Sequence, residues 1–194
     1  MSSQALASLL TGLDEVEALR VHYPVRGRLI PTGIGALAEK AHGRACVVLL
    51  SSHLERYIYA SNEEAIELLN LCGSPLNLLP QTFLLLQSRE AVDELAKTSW
   101  ENRGPKLASF SADHAPLWAT GATTGSLSAS QNLVWMKTPN PRSIVRYYAS
   151  YGIPDIFDGI TRRTHTRAEL RLALTELVEK RNQIAHGDST SQAL

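Results

Sequence analysis

The sequence predicts an all-α fold, a largely antiparallel bundle of five or six helices with a long irregular insertion near residues 104–133. Apolar residues recur at three- and four-residue spacing through most of the chain, the periodicity of a helix with one buried face. Capping signals and Gly or Pro stops punctuate those stretches at the lengths helices need. No stretch reads convincingly as a strand, so helix must pack on helix.

Residues 3 to about 23 form the first amphipathic stretch, with Leu6, Leu9, Leu10, Leu13, Val16 and Leu19 on one side. Pro24, Gly27 and Pro31 break it. A long helix follows over residues 34–60 and carries two stripes. Val47, Leu50, Leu54 and Ile58 make the greasier one. The other runs through Ala41, Ala45, Val48, Ser52, Glu55 and Tyr59, which sets a carboxylate on a seam of small and apolar residues. Ser61 and Glu64 offer a capping box for a new or kinked helix that Gly73 and Pro75 end. Residues 80–100 read as another helix whose Leu-rich start belongs to the core.

From 104 to 133 no period is sustained, and the small-residue run 119–126 lacks the spacing of a phosphate-binding glycine loop. A mobile surface insertion is expected there, with Trp118 and Trp135 as candidate pins at its ends. Thr138 to Ile144 is turn chemistry leading into a helix that stops at Gly152. Thr164 or Thr166 then caps the last helix, with Glu169 completing a capping box from Thr166.

At 194 residues, 44% of them apolar and 20% charged, the chain has the size and composition of one globular domain spanning residues 1–194. It has no long apolar run and no leader pattern, so a cytoplasmic protein without membrane contact is expected. Cys46 and Cys72 sit in apolar helical sequence with no CxxC spacing, which suggests buried free thiols. Net charge is zero, yet from Lys137 onward nine Lys or Arg face six Asp or Glu. That mild excess of +3 suits an anionic partner, though solvated helix faces also produce it.

The chemistry concentrates in Arg181-Asn182-Gln183-Ile184-Ala185-His186-Gly187 at the end of the last helix. Leu170, Leu174 and Leu177 form an apolar stripe whose next position is Arg181, so a permanent cation stands where a core residue belongs. Buried without partners it would cost several kcal/mol, so it needs a carboxylate or an interface. Glu55, at a core-facing phase of its own helix, is the candidate internal partner. Five residues separate Arg181 from His186, about 140° around and roughly 7.5 Å along an ideal helix, so the two do not share a face. Asn182 is four residues before His186 and within reach of its ring. Helix ends attract cations through the dipole alone, so Arg and His there do not by themselves make a site.

Other chemistries lack their residues. The six histidines show no HxxxH pair, no serine occupies a GxSxG elbow, and neither cysteine has a local partner. No metal or cofactor is expected. General acid/base and anion chemistry by His186 and Arg181 remain, groups that suit phosphodiester cleavage.

Arg181 to His186 resembles the R-x(4–6)-H motif of the HEPN superfamily, with a polar residue directly after the arginine. The surrounding pattern is similar to the RiboL-PSP-HEPN branch: a long helix bearing Leu54-Glu55-Arg56-Tyr57, an Asn140-Pro141-x-x-Ile144 turn, Gly152-Ile153, then the motif helix. The resemblance implies a metal-independent endoribonuclease of a toxin or defence system, acting as a homodimer on RNA. It also implies an antitoxin or a nucleotidyltransferase as a further partner. Arg181 and His186 would be catalytic, Asn182 and Glu55 supporting or RNA-binding. A non-catalytic RNA- or nucleotide-binding module and a helical protein-interaction adaptor are the competing readings.

Overall fold

A computed structural model describes residues 3–22 and 34–187. Among them are nine α-helices: α1 (Gln4–His22), α2 (Ile34–Cys72), α3 (Gln81–Gln87), α4 (Arg89–Lys97), α5 (Arg103–Trp118), α6 (Ala129–Leu133), α7 (Pro141–Ser150), α8 (Ile156–Ile160) and α9 (Thr164–Ala185). No strand occurs among the described residues; Pro75 and Thr123 form one isolated antiparallel bridge. The all-α expectation holds. The helix number exceeds five or six because short helices occupy stretches that periodicity cannot resolve. The predicted breakers Pro24, Gly27 and Pro31 lie outside the described residues.

The chain groups into two compact units. The first takes the residues up to Ser61, Thr138–Ser143 and those from Phe157 onward; the second takes Asn62–Lys137 and Ile144–Ile156.

In the first unit α1 runs antiparallel to α2. Ala5, Leu9, Gly12, Val16 and Leu19 keep a four-three rhythm, and all are buried or half-buried. Gly12 sits there for a steric reason: an added Cβ would lie 2.4 Å from the His53 ring. The imidazole packs onto the α1 backbone, with Nε2 3.2 Å from Glu15 Oε2 but not aligned as a hydrogen bond. Eleven residues earlier on α2, His42 Nε2 lies 2.9 Å from the Leu19 carbonyl. Two histidines three turns apart thus grip α1.

The capping box expected at Ser61 does not form. The Ser61 hydroxyl donates instead to the Ile58 carbonyl, and α2 continues unbroken for 39 residues. Serine side chains bond back into a helix as readily as they cap one when the backbone stays helical. Gly73, at φ +57, ends the helix as expected. Cys72 is therefore exposed at a helix end rather than buried, while Cys46 is half-buried.

The second unit has its core in Ile66, Leu76, Phe83, Leu84, Leu117 and Leu127. The Leu-rich start of residues 80–100 lies in it, as expected, but the helix breaks at Ser88 into α3 and α4. The stretch 104–133 differs most from expectation. Its first half is α5, and the rest is clamped. Asn70 exchanges two hydrogen bonds with Leu127, and Gln87 exchanges two with Ser128. Leu76 N–H donates to the Ala122 carbonyl at 2.9 Å and Thr124 N–H to the Ser74 carbonyl at 2.7 Å. Side-chain amides stand in for a ladder strand, satisfying backbone groups that no local helix would. Trp135 is held as a pin, its indole N–H on the Asn132 carbonyl; Trp118 remains exposed.

A buried polar triad ties α2 and α6 to the residue after α7. Asn132 donates to Asn62 Oδ1 at 2.9 Å and to the Tyr151 hydroxyl at 3.0 Å, and that hydroxyl donates to Asn62 Oδ1 at 2.9 Å. Burial pushes the Tyr151 phenol up to about 12.

Candidate active site

The last helix begins at Thr164 with Arg163 as N-cap and no side-chain cap, so the predicted threonine capping box is absent. Arg167 takes over that end: it bonds the Thr164 hydroxyl at 3.1 Å and pairs with Asp158 of α8. A nearby cation and carboxylate offered stronger partners than a hydroxyl–backbone cap. Further along, Arg171 lies over the Phe157 ring, 4.8 Å from its centroid.

The stripe Leu170, Leu174, Leu177, Arg181 becomes buried as it proceeds. Leu170 is exposed, Leu174 half-buried, Leu177 buried, and Arg181 half-buried as the phase argument requires. Its predicted partner is different, however. No ion pair joins Arg181 to Glu55; the guanidinium donates from Nη1 to Asn182 Oδ1 at 3.2 Å. Glu55 is half-buried on α2 and forms no ion pair with any described residue. Adjacent residues on a helix rarely face each other, but an arginine is long enough to curl onto its neighbour's short amide. Asn182 therefore steadies the arginine rather than the His186 ring.

His186 is the C-cap, at φ −85° and ψ 4°, and its N–H donates to the Asn182 carbonyl at 3.0 Å. Gly187 follows at φ +74°, the left-handed conformation that terminates a helix, with its N–H on the Ile184 carbonyl at 3.2 Å. The imidazole is exposed. One helix end therefore presents a half-buried guanidinium, fixed by a neutral amide, and an accessible imidazole. Such groups hold an oxyanion and move a proton.

No set of three His, Cys, Asp or Glu side chains among the described residues is placed to hold a metal ion. No helix among them is long and apolar enough to cross a membrane.

The all-α architecture agrees with the family comparison. The RiboL-PSP-HEPN family model matches residues 35–194, and the chain belongs to that family. The match starts after α1. Family membership points to a function connected with RNA. No curated protein and no solved structure matches the chain.

Proposed function

We propose that the chain is a metal-independent endoribonuclease of a toxin or defence system, cutting RNA in a cleft formed by two copies. The observation that supports this most is the presence at one helix end of a half-buried Arg181, with no ion pair to a described carboxylate, and an exposed His186. A guanidinium held by a neutral amide keeps its whole charge for an external anion. Had Glu55 neutralised it, the residue would read as structural.

In the proposed reaction a histidine takes the proton of a ribose 2′-OH, whose oxygen bonds to phosphorus. The bond from phosphorus to the 5′ oxygen breaks, a proton is delivered to that oxygen, and a 2′,3′-cyclic phosphate and a 5′-OH remain. Attacking and leaving oxygens lie on opposite sides of phosphorus, so two imidazoles serve better than one. Each copy supplies a single His186. The helix C-terminus carries roughly half a negative charge, which weakens one guanidinium's hold on phosphate; two guanidiniums outweigh it. In this reading Arg181 stabilises the phosphorane charge, Asn182 orients Arg181, and Glu55 supports the RNA from α2.

The test is cleavage of a single-stranded RNA with analysis of the new ends. Arg181→Ala and His186→Ala should each lower the rate at least about 100-fold, the scale of losing a general acid/base or an oxyanion donor, with EDTA harmless. Cleavage persisting in His186→Ala, or stopping with EDTA, would overturn the mechanism.

A further inference from the structure

The second unit carries a cationic surface that the motif helix does not explain. Between Asp113 and Asp155 the chain has no acidic residue, and its cations there are Lys137, Arg142 and Arg146. Two of them belong to the second unit, and one lies on Trp135. The Arg146 guanidinium carbon lies 4.4 Å from the centroid of the Trp135 ring. Lys137 follows two residues after that tryptophan, beyond a turn closed by Met136 N–H on the Leu133 carbonyl at 2.8 Å. Lys137 and Arg146 are exposed, and no ion pair to a described carboxylate involves either. Glu90, the acid that approaches α6, is engaged with the Gln131 amide at 2.7 Å.

The tryptophan is fixed by its indole N–H on the Asn132 carbonyl at 3.0 Å, and Asn132 is itself fully buried. The arginine lying over it is therefore held on a rigid ring instead of being free to wander. A guanidinium stacked on one face by an indole still offers its opposite face and its N–H edge. A flat cationic surface of this kind stacks an unpaired base, while an adjacent lysine holds the phosphate beside it.

We infer that Trp135, Arg146 and Lys137 form a binding surface for single-stranded RNA, Arg146 stacking a base and Lys137 contacting the backbone. Single strands fit because a base must leave its helix to reach the guanidinium plane. The absence of acidic residues over the surrounding sequence favours a polyanion and disfavours a basic protein segment. The inference rests on the proposed ribonuclease reading for its choice of RNA but uses none of the residues of that site.

The experiment measures binding of a fluorescent single-stranded RNA across salt concentrations, using the full chain with His186→Ala so that the RNA stays intact. Adding Arg146→Gln and Lys137→Gln should weaken binding about tenfold or more, and flatten the slope of log K against log salt by roughly 0.7, the one phosphate contact of Lys137. Arg146→Lys keeps the charge, so the slope should hold while affinity falls. Unchanged affinity and slope in the double variant overturns this surface, and leaves the nuclease reading standing if the unmodified chain still cuts RNA. RNA binding lost in the double variant of a chain that never cuts supports the surface and removes the nuclease reading. Preference for a duplex of the same sequence overturns the single-strand assignment.

Discussion

At the scale of single residues, two side-chain environments make sharp predictions. Gly187 adopts φ +74° and has open space around it, so an added Cβ meets backbone strain and no clash. Gly187→Ala should cost about 1 kcal/mol. For a chain of this size that is a melting shift of roughly 2–4 °C, measurable by calorimetry. On the proposed mechanism it should also slow cleavage, because it disturbs the turn that presents His186. Tyr151 behaves differently. Its phenol is pushed up to about 12 mainly by burial, against an ordinary value of 10. The folded state thus holds this proton more tightly than the unfolded chain, and the stabilisation is complete below pH 10 and lost as pH rises toward 12. Tyr151→Phe should lower stability at neutral pH by about 1–3 kcal/mol through two lost hydrogen bonds, and should flatten the alkaline fall, as denaturant melts at a series of pH values would show. Arg181 was legible at this scale because its phase on an apolar stripe is arithmetic on sequence. Its partner was not, since Glu55 was the expected partner and Asn182 was expected at the His186 ring, and only the path of a flexible side chain brings Asn182 to the arginine.

At the scale of elements, legibility followed how strongly each helix buries one face. The 34–60 part of α2, the Phe83 to Leu86 core segment, the turn leading into α7 and the Gly152 stop could all be read from spacing and turn chemistry. α5 could not, because most of its residues are exposed. Its weak signal was Arg103, Leu107, Phe110, His114 and Leu117 at heptad spacing, diluted by Ala, Ser, Gly and Pro. The segment after it is held by Asn70 and Gln87, whose contacts are distant in sequence and invisible to any local pattern. The α1 contact was half legible: Leu9, Val16 and Leu19 of the expected stripe are half-buried but Leu6, Leu10 and Leu13 are exposed, and the closeness of approach depends on Gly12 receiving the His53 ring. Gly12→Ala should lower stability by about 1–3 kcal/mol through overpacking, and His53→Ala in the same chain should relieve part of that loss. Additive losses in a double-mutant cycle would show that the two do not touch.

At the scale of the whole molecule, the family and the helical architecture agree, and the family points to a function connected with RNA. The proposed chemistry needs more than one chain displays, because each copy offers one Arg181 guanidinium and one His186 imidazole. The most direct test mixes chains: wild-type protein at fixed concentration is allowed to exchange subunits with a large excess of His186→Ala, and RNA cleavage is then followed. If two copies build each site, cleavage per wild-type chain should drop several-fold as mixed pairs replace active ones. If cleavage per wild-type chain stays constant while exchange is complete, each chain acts alone and the shared-cleft account is wrong.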